Sequence, residues 1–128
     1  STTQYLAILT AAYTRQSDYA DKIAKIRSKA GKITAAKILF NVMTGKRPRD
    51  SNVKTAFKNC SQVNEPITRP TSQLSEVNMD IPGLSTLCEA LGRSKSKEHL
   101  SILHKSLDSR DERVKSISVF SLQYIYYS

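Results

Sequence analysis

Glycine and proline number only four each in the 128 residues. A sheet protein with many tight turns needs more of both, so their scarcity favours long helices. No run approaches the roughly 18 apolar residues that cross a bilayer as one helix. The opening Ser1-Thr2-Thr3-Gln4 lacks the basic stretch that begins a signal peptide, and an intracellular protein, cytoplasmic or nuclear, is expected. Cysteine occurs twice, at Cys60 and Cys88. Two unclustered cysteines in a basic chain read as buried thiols rather than a disulfide.

Catalytic signatures are also missing. There is no Gly-x-Ser-x-Gly elbow, no phosphate-binding Walker loop and no dinucleotide fingerprint. His99 and His104 are the only histidines, and a spacing of five does not put two ligands on one helical face. Joined to Cys60 and Cys88 they give intervals of 28, 11 and 5, which match no zinc module; His99 reads as a surface residue and His104 as one near a helix boundary. No metal, no cofactor and no enzymatic activity are therefore expected. A metal-independent ribonuclease, built from scattered His, Lys and Arg, is the enzymatic alternative.

Acidic residues are scarce in one half only. Residues 1–64 hold 12 Lys and Arg against Asp18, Asp21 and Asp50, a net of +9. Residues 65–128 hold eight of each sign and are neutral. The whole excess charge thus belongs to one half, and a clustered field concentrates anions where a dispersed one only aids solubility.

Apolar periodicity predicts an all-α protein, a compact bundle of about six or seven helices with a long Pro-containing central loop. One domain over 1–128 is expected: a basic helical lobe at 1–60, a loop at 61–80 and a neutral helical lobe at 81–128. Tyr5, Ile8, Leu9, Ala12 and Tyr13 mark the first helix, at about 3–15. Tyr19, Ile23, Ile26 and Ala30 mark a second, with Gly31 as its stop. Thr34 is the expected cap of a third helix, which buries Ala35, Ile38, Leu39, Val42 and Met43 and ends at Gly45. A fourth starts at Asp50 or Ser51 and buries Val53, Ala56, Phe57 and Cys60. Residues 61–80 lose the 3.6-residue period. Helices resume after Asp80-Ile81-Pro82, with Leu84, Leu87, Cys88 and Leu91 inward and Gly92 as the stop. Ser96 is the expected cap of the next, over Leu100, Leu103 and Leu107. Ser109 and Glu112 have capping-box spacing for the last. That helix carries Val114, Ile117, Phe120, Leu122, Tyr124 and Ile125, apolar on most sides.

Residues 107–122, with Asp111, Val114 and Lys115 ahead of an apolar face, resemble the second helix of a HEAT-type repeat. The resemblance covers one repeat, the first half shows no second copy, and the family is not assigned on it.

The candidate binding residues follow from the charge. Arg15, Lys22, Lys25, Lys29 and Lys32 are spaced 7, 3, 4 and 3, one narrow sector if their helix is continuous. Lys46, Arg47 and Arg49 form a basic turn just before a helix N-terminus, where backbone N–H groups also favour phosphate. Lys54 and Lys58 project one turn apart from the fourth helix. The bland reading of these residues is a solvated cationic surface. The functional one is a nucleic-acid-binding accessory protein that grips mainly the phosphate backbone of DNA or RNA, with modest sequence preference and with Asn52, Lys54, Thr55, Lys58 and Asn59 of the fourth helix as the few candidates to reach bases. The third and fourth helices resemble a helix-turn-helix, but the six residues from Gly45 to Asp50 exceed its usual turn. The size and charge also fit a small accessory protein of a virus, phage or plasmid. The competing class is a protein-interaction adaptor or homo-oligomer, using Tyr124, Tyr126 and Tyr127 as aromatic anchors.

Overall fold

The computed structural model describes residues 2–61 and 80–127. Among them are seven α-helices, two 3-10 turns and no strand. In chain order they are α1 (Thr2–Tyr13), a 3-10 turn (Ser17–Tyr19), α2 (Ala20–Ala24), α3 (Gly31–Met43), α4 (Asp50–Ser61), α5 (Ile81–Arg93), a 3-10 turn (Lys97–His99), α6 (Leu100–Ser106) and α7 (Glu112–Tyr127). The all-α expectation holds. The expected central loop lies outside the described residues, apart from Ser61, which ends α4, and Asp80, which precedes α5.

α3 and α5 form the central pair; α1 and α4 flank α3, and α7 covers α5. α3 buries Ile33, Ala35, Ala36, Ile38, Leu39, Phe40 and Met43, and α5 buries Leu84, Leu87, Cys88, Ala90 and Leu91. Each leucine removed from water here contributes about 1.5–3 kcal/mol. α1 is tied to α5 by hydroxyls as well. Tyr5 Oη lies 2.8 Å from Thr86 Oγ1, and Tyr13 Oη donates to Glu89 Oε1 at 2.6 Å.

Several helix boundaries differ from the sequence expectation. The second helix stops at Ala24 instead of running to Gly31. From Lys22 to Lys32 the chain has five cations and no acid, so a continuous helix would stack Lys22, Lys25, Lys29 and Lys32 at like-charge i,i+3 and i,i+4 spacings. Gly31 is not a stop; it is the first residue of α3, after the extended Ala30. Thr34 lies inside that helix, and its hydroxyl donates to Gly31 O at 2.9 Å. Ser96 makes no capping bond, and a 3-10 turn comes before α6. At α7 the cap is Asp111, whose Oδ1 accepts from Arg113 N at 2.9 Å and Val114 N at 3.2 Å. α5 starts at Ile81, within the expected start signal, and Asp80 caps it, accepting from Gly83 N at 3.2 Å.

α1, α3 and α5 end in the same way. In each, the residue two after the helix is left-handed: Arg15 (φ 52°), Gly45 (φ 95°) and Lys95 (φ 53°). The next residue's N–H reaches back to the helix, Gln16 to Ala11 O, Lys46 to Asn41 O and Ser96 to Leu91 O. After Arg15 and again after Lys95 the chain continues through a 3-10 turn, a short helix and a longer one. The two halves therefore share an element order that their side-chain patterns do not display.

α7 meets α5 through small residues, a correction to the expected all-round apolar helix. Its buried side is Val114, Ser118, Ser121, Leu122 and Ile125, while Phe120 is 71% exposed. Ser121 Oγ donates to Cys88 O at 2.9 Å, and Ser118 Oγ to Val114 O at 2.7 Å. Gly92 makes this approach possible: a Cβ there would lie 2.3 Å from Ser121 Oγ and 2.9 Å from Ser121 Cα. It is the penultimate residue of α5, not the stop beyond it. Gly92→Ala is expected to cost about 1–3 kcal/mol by overpacking. That lowers the melting temperature by about 3–12 °C. Ser121→Gly in the same chain is expected to restore part of the loss. A double variant melting at the sum of the two single losses would show that α7 does not rest on this contact.

Candidate functional site

The basic residues are spread over six places on and around α3. Arg15 is in the turn after α1, Lys22 on α2, Lys25 directly after α2, and Lys29 in the connection to α3. Lys32 is in the first turn of α3, its Nζ 3.3 Å from Thr2 Oγ1 and 5.8 Å from the centre of the Tyr5 ring. The predicted single stripe is thus broken by the end of α2 and the connection, and its members do not share one helical face. Lys46, Arg47 and Arg49 sit on the turn between α3 and α4, as expected. Lys54 and Lys58 are exposed on α4, with Lys54 Nζ 3.0 Å from Asp50 Oδ2.

The connection at 25–30 is held in shape. Lys25 N donates to Asp21 O and Ile26 N to Ile23 O, closing the last turn of α2. Ser28 Oγ accepts from Ala30 N at 3.1 Å. Lys37 reaches across from α3, its ammonium donating to Ile26 O at 2.8 Å and Ala24 O at 3.3 Å. These carbonyls have no partner within the short α2, so a cation there satisfies them and complements the helix dipole. Burial, and then the neighbouring Arg27 charge, pull the Lys37 ammonium below its ordinary value.

Two hollows meet at Lys37. One, about 730 Å³ and widely open, is lined by Ala24, Ile26, Arg27, Ser28, Lys29 and Lys37. The other, about 180 Å³, lies between α3 and α4 and is lined by Thr34, Lys37, Ile38, Asn41, Asn52 and Thr55. Asn52 and Thr55 are two of the five fourth-helix residues that the sequence offers as candidates to reach bases, whereas Arg27, Lys37 and Asn41 were passed over. Their signal was the polar series Thr34, Lys37 and Asn41, at i, i+3 and i+7 on the side of α3 away from its apolar face.

The start of α4 differs from the expected phosphate seat. Asp50 is its first residue, and the carboxylate accepts from His99 Nε2 at 2.8 Å as well as from Lys54. A negative charge of the protein's own already stands beside that helix N-terminus. His99 was expected on the surface, yet it is 3% exposed, and its Nδ1 is buried with no hydrogen-bond partner. His104 is exposed near the end of α6. Cys60 and Cys88 are free, buried thiols, pushed up chiefly by burial. Among the described residues no group of three or more His, Cys, Asp or Glu is placed to hold a metal ion. Among the described residues no helix is long and apolar enough to cross a membrane.

A second hollow region, about 490 Å³, lies where α3, α5 and α7 converge. Val42, Met43, Ile117, Phe120 and Tyr124 give it an apolar lining, with Arg15, Glu89 and Arg93 also on its wall. Tyr126 and Tyr127 are exposed farther along α7, and Lys95 Nζ lies 5.2 Å from the centre of the Tyr124 ring. Phe120, on a helix whose apolar pattern reads as central to the core or to an interface, is the most exposed large apolar side chain of this hollow.

No protein-family model, curated protein or solved structure matches the chain.

The Asp50–His99 bond gives a pH dependence with a definite sign. The hydrogen bond from His99, then that from Lys54, holds the Asp50 carboxyl below its ordinary 3.8. Its contribution to stability is complete above that value and is lost as pH falls through the lower folded-state value. Asp50→Asn is therefore expected to be less stable than wild type wherever the wild-type carboxylate is ionised. The margin should close below pH 3.8, followed by urea unfolding at each pH. A margin independent of pH down to full protonation would show that the carboxylate charge contributes nothing.

Proposed function

We propose that this protein binds nucleic acid without catalysing a reaction on it, mainly through contacts to backbone phosphates. The observation that carries the reading is the arrangement of charge around α3. One cationic group, Arg27 and Lys29 with the ammonium of Lys37 reaching back to Ala24 O and Ile26 O, stands beside its start; the other, Lys46, Arg47 and Arg49, follows its end. Thirteen helical residues put the two about 20 Å apart. That spans about six duplex phosphate steps at 3.4 Å each. Between Asp21 and Asp50 there is no acid to offset them.

Binding of this kind releases counterions and weakens with salt. If about four phosphates of a single strand are neutralised, affinity should fall about 50-fold between 50 and 200 mM salt. Absence of binding to both duplex and single strands at the lower salt would overturn the reading. Reversing charge at Arg47 and Arg49 together should weaken binding to every sequence alike and reduce the salt slope by about two. Unchanged affinity would remove the turn from the interface.

A second reading has its own observation. Phe120, Tyr124, Tyr126 and Tyr127 leave α7 with a dense exposed aromatic surface beside an apolar hollow. Such surfaces mark protein contacts. On this reading α7 contacts a protein partner or a second copy, and Phe120→Ser is expected to abolish any concentration-dependent association seen by sedimentation. Sedimentation as a monomer at all concentrations would dispose of the homo-oligomer.

A further inference from the structure

Phosphate binding needs positive charge and nothing more specific. The smaller hollow beside Lys37 carries something that phosphate binding does not need. Two residues with carboxamide side chains, Asn41 from α3 and Asn52 from α4, line it together with Thr34, Ile38 and Thr55. Lys37 is its one charged lining residue. The adjoining hollow has the reverse character, with Arg27, Lys29 and Lys37 as three cations and no acid.

A carboxamide presents a donor and an acceptor in one plane, the combination that pairs with the edge of a nucleobase. At about 30 Å³ per water, the smaller hollow holds roughly six waters' worth of space. That is room for a small planar group and not for a helix or a folded loop. Because it is concave, a base must leave its stack and its partner to enter. Unpaired strands offer such bases, whereas a duplex keeps its bases stacked and their Watson–Crick edges paired.

We propose that the two hollows joined at Lys37 hold one unpaired nucleotide of a strand. Its phosphate lies against Arg27, Lys29 and Lys37, and its base against Asn41, Asn52 and Thr55. This rests on the nucleic-acid reading and makes it more specific: the protein then discriminates between bases on single strands and does not only grip their backbone. Lys37 acts in two ways, holding the 25–30 connection through Ile26 O and Ala24 O while placing charge between the two hollows.

The test uses the full chain and fluorescently labelled single-stranded oligonucleotides of equal length, each of one base type, at one fixed salt concentration. The best and worst should differ by about tenfold in affinity, toward the lower end of what one good base contact gives. Asn52→Ala, at an exposed position, and the Asn41→Ala/Asn52→Ala pair should bring the series to within about twofold while leaving the salt slope unchanged. Nucleoside monophosphates, at equal nucleotide concentration, should fail to displace the strand.

Equal wild-type affinities for every base type, or discrimination that survives in both variants, would overturn the nucleotide site and leave backbone binding standing. Displacement by a monophosphate as effective as by its own strand would assign the hollows to a free nucleotide instead. No binding of any oligonucleotide at low salt would overturn the nucleic-acid reading together with the site.

Discussion

Three helix ends meet at the sulfur of Cys60, and the arrangement of the other helices depends on that junction. A Cβ on Gly31, at the start of α3, would lie 2.7 Å from Cys60 Sγ; a Cβ on Gly83, in the first turn of α5, would lie 2.8 Å from it. Asp80 N donates to Cys60 O at 2.9 Å, so the residue that caps α5 is also bonded to the end of α4. Asp80 Oδ2 lies close to both glycines. One carboxylate thereby stands near the positive ends of two helices that would otherwise repel at close range. Only hydrogen at the two glycine positions lets α3 and α5 approach so closely. The central pair then sets where α1 and α4 lie, and the gap between α3 and α4 is the hollow carrying Asn41 and Asn52.

This dependence explains which parts of the fold were legible in the sequence. The inward faces of α4 and α5 followed from 3.6-residue spacing because Val53, Ala56 and Cys60, and Leu84, Leu87 and Leu91, are buried as that period requires. Gly45 ends α3 as its position suggests, but two other glycines were misread. Gly31 and Gly92 look like stop signals, but both are sites of close approach, a property that depends on the opposing element and leaves no local trace. The two left-handed helix ends at Arg15 and Lys95 were illegible for the opposite reason. An L residue there costs of the order of 1–2 kcal/mol, so sequence rules look for glycine or asparagine. The bonds from Gln16 and Ser96 back to Ala11 and Leu91 satisfy carbonyls that would otherwise be orphaned, which offsets part of that cost.

The charge was legible in amount and in region, but not in shape. A helical stripe was the natural inference from intervals of 7, 3, 4 and 3, because the backbone was taken as continuous. Like-charge spacing works against that continuity. Between Lys22 and Lys32 no acid interrupts the cations, and a connection that leaves the helix lets Arg27 and Lys29 diverge from Lys22 and Lys25. Lys37 then supplies the donors that the released carbonyls require. The density of positive charge that suggests a polyanion is thus also a reason for the irregular backbone at 25–30. The concave cationic surface follows from the same break.

α3 is common to both exposed regions with functional potential, and its chemistry separates them. Thr34, Lys37 and Asn41 face the polar hollows, while Val42 and Met43, on the next positions around the helix, face the aromatic hollow of α7. Adjacent residues on a helix point about 100° apart, so Asn41 and Val42 report on different surfaces although they are neighbours in sequence. Long-range attraction acts on the first surface and is screened within about 10 Å at 0.1 M salt. Apolar contact dominates the second and is much less sensitive to salt in that range. Salt dependence therefore distinguishes a strand held at Lys37 from a protein held at Phe120, even before any residue is changed.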